Sequence, residues 1–374
     1  MLCESAALIE ALSAILPALQ RQAIIDDALA AFPTESFERL QKLGLLRAPL
    51  PVALGGAGLG DGATGASALL RVLTLLGEAS LPVARLYEAH VNALQLVCRY
   101  AQDRLIRRCA RDAGAGALFA LWVTDPPEST LAMHRDGDGY RLEGSKAFCS
   151  GAGIATRALI TAAMPSGIRM LIIDVEPGTR VLPSPIKLSG MRAAITGSID
   201  LTGIHVPADA LLGEDGDYLR EPVFSAGAWR SAAAALGGLK ALVEIHRGEI
   251  LRRGRAQDPH QQARFGALVM AYETSRLWMA QAALRACLED DDAGAIVAYV
   301  NLARLAVESA CLDAMRLSQR SLGLGAFIAG HPAERVCRDL ATYLRQPAPD
   351  ETLVKAASHY FHTQLPGTAR AGAA

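Results

Sequence analysis

Aromatic side chains are scarce in this chain, 5% of 374 residues, and neither sign of charge predominates, with 37 Lys and Arg against 38 Asp and Glu. The formal net charge of -1 sets up no sustained basic field for a phosphate backbone, so nucleic acid is not an expected partner. No two of the seven cysteines stand in a CxxC spacing, which removes the usual signature of zinc or dithiol redox chemistry. Cys3, Cys98, Cys109, Cys149, Cys287, Cys311 and Cys337 are odd in number and read as reduced packing thiols of a cytoplasmic protein. Long apolar runs are missing as well. Charges interrupt them before the roughly 18 residues that a membrane-spanning helix needs, and no membrane partner is expected. The opening Met1-Leu2-Cys3-Glu4-Ser5 is acidic where a secretory leader is basic, so no export signal is read.

What is present is a long, Ala- and Leu-rich chain, beyond the size at which a single core usually stops growing. From the start to about residue 115, apolar residues recur every three or four positions, as in Phe37-Leu40-Leu43-Leu45 and Ala89-Leu94-Val97-Tyr100, the period of helices that bury one face. From about Ala117 the texture changes to short β-type runs punctuated by Gly and Pro, such as Arg169 to Val175 and Gly197 to Leu201. Helical patterning returns after Gly213-Glu214-Asp215-Gly216-Asp217 and continues through Ala233-Leu236, Leu268-Tyr272 and Leu302-Leu305. The expected fold class is therefore α+β: an N-terminal helical domain over 1–115, a central β-barrel-like domain over 116–212 and a C-terminal helical bundle over 213–374. Only Gly367 to Gly372 reads as a disordered tail.

Three signals are set aside. Gly60-Asp61-Gly62-Ala63-Thr64-Gly65 satisfies GxGxxG, but no strand precedes it, and it reads as a loop between helices. His359 and His362 lie one turn apart without a partner motif, and Glu289-Asp290-Asp291-Asp292 reads as a solvated turn, so no metal is assigned.

Over about residues 30 to 362 this layout resembles the acyl-CoA dehydrogenase family. The likeness rests on ordered phrases: Gly44 to Pro49 with Gly55-Gly56-Ala57-Gly58, then Leu121-Trp122-Val123-Thr124-Asp125-Pro126, then Tyr140 to Gly151, and finally Gly190-Met191-Arg192, Thr196 and His205 to Gly213. The resemblance implies FAD as cofactor and an acyl thioester, acyl-CoA or carrier-bound, as substrate. It also implies α,β-desaturation as reaction, an electron-transfer partner, and a homodimer or homotetramer. It assigns flavin contact to Trp122, Val123, Thr124, Phe148 and Ser150, hydroxyls at the ring's polar edge and Trp122 and Phe148 as apolar surface. Arg252 and Arg320 fall where relatives touch the pyrophosphate and adenosine side of FAD, a role suited to a guanidinium. Thr130 and Arg230 match substrate-side positions.

One feature departs from the family. Counting on from Arg338-Asp339, the place of the catalytic glutamate is occupied by Pro347, which offers neither a carboxylate nor an amide hydrogen. The other site at which relatives carry that base holds Trp229. Asp350 and Glu351 are the nearest replacement carboxylates; their alternative is to serve as favourable acids at the start of a helix. Two further readings accompany desaturation. One is a flavin monooxygenase on the same fold, which needs no α-proton base; the other is a non-catalytic binding or assembly protein.

Overall fold

The computed structural model describes residues 2–183, 187–288, 292–345 and 347–366, the side chains from residue 5 onward. The tail at Gly367 to Gly372, the acidic turn at Glu289 to Asp291 and Gln346 lie outside the described residues. Five helices come first: α1 (Leu2–Leu29), α2 (Thr34–Lys42), α3 (Gly62–Ala79), α4 (Leu81–Tyr100) and α5 (Asp103–Gly114). The boundary between α3 and α4 is set locally, where extended Ser80 accepts a hydrogen bond from the Val83 N–H and Pro82 sits in the first turn. Gly60 to Gly65 spans the loop before α3 and its first turn.

Nine strands follow among the described residues: β1 (Phe119–Trp122), β2 (Ala132–Asp136), β3 (Gly139–Glu143), β4 (Ser145–Cys149), β5 (Arg157–Met164), β6 (Gly167–Asp174), β7 (Gly197–Asp200), β8 (His205–Pro207) and β9 (Leu211–Leu212). The main sheet runs β8-β3-β2-β5-β6-β9 with β1 parallel to β5, and β4 pairs with β7 in a separate two-stranded ladder. Alternation along β5 and β6 divides the sheet's two faces. Ala158, Ile160, Leu171 and Ile173 turn into a core with Trp122, Leu142 and Ile199, while Leu159, Met170 and Ile172 pack against Leu94 and Val97 of α4 and Leu105 of α5.

The chain then returns to helix: α6 (Val223–Ala226), α7 (Trp229–Arg252), α8 (Pro259–Arg285), α9 (Ala293–Leu322), α10 (Pro332–Tyr343) and α11 (Pro349–His362). Asp258 caps α8 ahead of Pro259, and Asp292 caps α9. The early and late helices share one core, in which Leu69, Leu73 and Leu76 of α3 meet Ala233, Leu236 and Leu239 of α7 and Val300 and Val307 of α9. Two glycines allow this contact. A Cβ on Gly77 would stand 2.1 Å from the Ala234 carbonyl oxygen, and one on Gly237 would stand 2.2 Å from that of Thr74, so only glycine permits backbones this close.

The expectation of no membrane-length apolar stretch is corrected. Ser5–Leu29 and Ala293–Phe327 are long and apolar enough to cross a membrane by length and composition. Part of each belongs to the bundle, with Leu12, Leu19, Val300, Val307, Cys311 and Ala314 in the shared core, while Ile24, Ile25 and Leu29 of the first and Leu312, Leu324 and Phe327 of the second are exposed. The six described cysteines are free thiols.

Candidate functional site

The β1 end and the turn after β4 are knitted together by hydrogen bonds. The Ala147 N–H donates to the Thr124 carbonyl at 2.9 Å, and the Trp122 indole N–H donates to the Ser150 carbonyl at 2.9 Å. Lys146, 1% exposed, sends its Nζ to Asp125 Oδ1 at 2.6 Å, to Thr161 at 3.2 Å and to the Val123 carbonyl at 3.4 Å. Burial holds the Lys146 pKa below the ordinary lysine value against the pull of Asp125. Asp125 also accepts from the Leu131 N–H, which ties down the loop carrying Thr130. The structure thus brings Thr124, Phe148 and Ser150 to one surface. Phe148 is 56% exposed and sits at a φ of 53°, a left-handed conformation uncommon for a bulky residue. Strain of this kind concentrates where a side chain is held for use. Val123 is half-buried, Thr124 and Thr130 are exposed, and no hydrogen bond engages the Thr124 or Ser150 hydroxyl among the described residues.

Trp122 departs from its expected place. At 1% exposure it lies in the β-domain core, where it cannot offer a face to a ligand; it positions Ser150 from behind. The turn is also close to α4, since a Cβ on Gly151 would stand 3.2 Å from the Leu86 side chain.

On another face of α4 lies a polar cluster that no sequence motif announces. Arg85, Glu88 and Asn92 are spaced to share one helical stripe. Glu88, 4% exposed, accepts from Arg85 Nη1 at 2.6 Å and from Asn92 Nδ2 at 2.5 Å. Asn92 Oδ1 in turn accepts from Arg230 Nη1 at 3.1 Å, across to the first turn of α7. The Arg230 guanidinium also lies 5.5 Å from the Trp229 ring centroid. Burial brings its pKa down to about 10, against the opposing charge of Glu88. Trp229 itself is 2% exposed and belongs to the core. His90, on the α4 face toward the sheet, is fully buried; its Nε2 meets the Leu46 carbonyl at 2.6 Å and its Nδ1 accepts from the Phe119 N–H. These two partners fix an Nε2-protonated neutral ring, and burial holds its pKa at about 4.

The remaining expected residues lie elsewhere. Pro347 is exposed, and its carbonyl and the Thr352 hydroxyl both accept from Arg304 of α9. Asp350 and Glu351 are exposed in the first turn of α11, the helix-start position in which acids are favourable. Arg252 is exposed and forks onto Glu249 at 2.8 and 3.2 Å. Arg320 is exposed in the last turn of α9, and the ends of α7 and α9 are joined by Arg253 Nη1 donating to the Leu322 carbonyl at 3.2 Å. Among the described residues no cluster of His, Cys, Asp or Glu could hold a metal ion.

No family model matches the chain. It is 29% identical to an L-evernosamine nitrososynthase from Micromonospora sp., with 89% of this chain and 84% of that one covered. It is 25% identical to a cyclohex-1-ene-1-carbonyl-CoA dehydrogenase from Geobacter metallireducens, over 84% and 86% of the two chains. Butyryl-CoA dehydrogenase from Megasphaera elsdenii superposes with a TM-score of 0.84 at 16% identity, covering 96% of this chain and 98% of that one. KijD3 in complex with FMN and dTDP-3-amino-2,3,6-trideoxy-4-keto-3-methyl-D-glucose superposes with a TM-score of 0.82 at 23% identity, over 96% and 94%. The fold is that of the acyl-CoA dehydrogenases. In sequence the chain is similar to both dehydrogenases and nitrososynthases, and it carries Pro347 at the expected place of the base.

Proposed function

We propose that the chain is a flavin-dependent monooxygenase acting on a polar, nitrogen-bearing small molecule. The observation that carries this reading is Pro347, an exposed residue with no carboxylate and no N–H where desaturation requires both. Asp350 and Glu351 stand exposed in the first turn of α11, where acids favour the helix start. The interior between α4 and α7 supports the same reading. Glu88 and Arg230 present charge there and Asn92 a polar amide, and an aliphatic acyl chain laid against them would remove their solvation without pairing them. The nitrososynthase relative points to nitrogen as the atom oxidised.

The residues fit a flavin: the strained, exposed Phe148 would give an apolar wall, and the Thr124 and Ser150 hydroxyls, which no described residue hydrogen-bonds, would be free for the polar edge of a ring. When bound in reduced form, the flavin would supply activation of dioxygen. Trp122 and the Lys146-Asp125 pair then act as positioning residues, holding Ser150 and the Thr124 loop in register. Because Arg252 is already forked onto Glu249, the pyrophosphate contact is not free-standing, which favours FMN over FAD. Leu324, Phe327 and Ile328, exposed just after α9, are the surface we assign to a second copy of the chain.

The test is reconstitution with FMN or FAD, reduction, and exposure to oxygen with a dTDP-3-amino sugar. The expected result is an oxygen-dependent mass gain on the sugar nitrogen. Anaerobic bleaching of the oxidised flavin by acyl-CoA thioesters would instead establish desaturation, and Asp350→Asn or Glu351→Gln would then abolish it.

A further inference from the structure

Arg230 is a cation to which no carboxylate is bonded. No carboxylate lies within ion-pair distance of it among the described residues, its Nε is buried with no hydrogen-bond partner, and its one side-chain bond goes to the neutral amide of Asn92. The nearby carboxylate of Glu88 is already committed on both oxygens, to Arg85 and to Asn92. Arg230 also stands in the first turn of α7, the helix end at which the macrodipole opposes a cation. Burying an uncompensated charge is costly, and the depressed pKa of this arginine has that cause. The Nε and remaining Nη form the edge of the guanidinium that pairs with a planar or tetrahedral oxyanion in a two-pronged fork.

We propose that Arg230 is the receptor for an anionic group of the substrate, a carboxylate or a phosphate, with Asn92 and Glu88 holding its guanidinium in place. The inference rests on the preceding section only in taking the ground between α4 and α7 as the substrate site. It commits the substrate to carrying negative charge as well as the atom that is oxidised.

The experiment is thermal unfolding of the full-length wild type, Arg230→Met and Arg230→Lys, in chloride buffer and in rising concentrations of inorganic phosphate, acetate or dTDP, with and without FMN. Arg230→Met gives up the Asn92 bond and the attraction of Glu88 together with the cost of burying the charge, so it should melt close to the wild-type temperature. An anion that binds the native state should raise the wild-type midpoint by about 2 °C at about ten times its dissociation constant. The methionine variant should lose this response, and the lysine variant should keep part of it. A response to phosphate and dTDP alone identifies a phosphate-bearing substrate, and one to acetate alone a carboxylate. The proposal is overturned by a wild type that no anion stabilises, by an Arg230→Met variant that keeps the response, or by one that melts several degrees lower. Because the response is read without turnover, failure to bind flavin sinks the monooxygenase reading and leaves this result standing.

Discussion

Replacing Glu88 by glutamine keeps the shape of the side chain and removes its charge. Arg85, with 28% of its side chain exposed, can turn toward water, whereas the more enclosed Arg230 loses its one neighbouring negative charge. The loss should be about 2–3 kcal/mol, below the full penalty for breaking an entirely buried pair. Urea unfolding would register it as a lower midpoint at unchanged slope, and a change under about 0.5 kcal/mol would mean that the carboxylate holds nothing together. Residues of this kind were not legible in the sequence. Thr124, Phe148 and Ser150 were expected from ordered phrases and Arg230 from a matching helix position, but Glu88 and Asn92 stand in a helix whose apolar period says nothing about which polar residues turn inward. A glutamate in such a helix reads as solvent-facing, and only the partner across the gap, Arg230 on α7, reveals otherwise. Trp122 failed in the opposite direction: its place beside Thr124 is local and readable, but its burial depends on strands that arrive later in the chain.

At the scale of elements, one buried lysine holds three segments together. Lys146 of β4 bonds the β1 end through Val123, the following loop through Asp125 and β5 through Thr161. Lys146→Met fills the same space without donors. It leaves Asp125, still 29% exposed at its side chain, with only the Leu131 N–H, and should cost about 2–3 kcal/mol. Its distinguishing signature is on the flavin. With the Thr124 loop released, the dissociation constant for FMN, followed by quenching of flavin fluorescence, should rise about tenfold or more, equivalent to about 1.4 kcal/mol. Unchanged flavin affinity in a destabilised variant would confine Lys146 to a packing role. The elements themselves were readable from hydrophobic period and turn residues, including the change to strands near residue 117 and back to helix after Gly213. Their pairing was not. Gly77 and Gly237 are separated by the whole β domain in sequence, and the close approach of α3 and α7 that requires both glycines is a property of neither segment alone.

At the scale of the molecule, Arg338 and Asp339 act as a clasp. Arg338 bonds Asp27 of α1 at 2.7 and 3.1 Å, Glu334 of its own helix at 2.7 Å and the Ser189 carbonyl at 2.9 Å. Asp339 accepts from the Met191 N–H at 2.6 Å, so α10 fastens the first helix and the loop between β6 and β7 at once. That fastening leaves Asp339 1% exposed, and burial raises its pKa to about 6 from an ordinary 3.8. A carboxyl raised on folding opposes the fold at neutral pH and relaxes that opposition as pH falls from about 6 toward 3.8, a gain of about 3 kcal/mol. The buried imidazoles of His90 and His246, each lowered to about 4 from 6.5, run the other way. Their contributions are complete above pH 6.5 and decline through pH 4, each by about 3 kcal/mol. One carboxyl therefore offsets one of two histidines, and the wild type should lose only about 3 kcal/mol between pH 6.5 and 4 from these groups. Denaturant unfolding across that interval separates them. Asp339→Asn should steepen the loss to about twice the wild-type slope, and His90→Gln should bring the slope close to zero, whatever either substitution does to stability at pH 7. Equal slopes in all three proteins would mean that these buried groups titrate together with the unfolded chain, and that the clasp and the α4 bridge open before the rest of the molecule does.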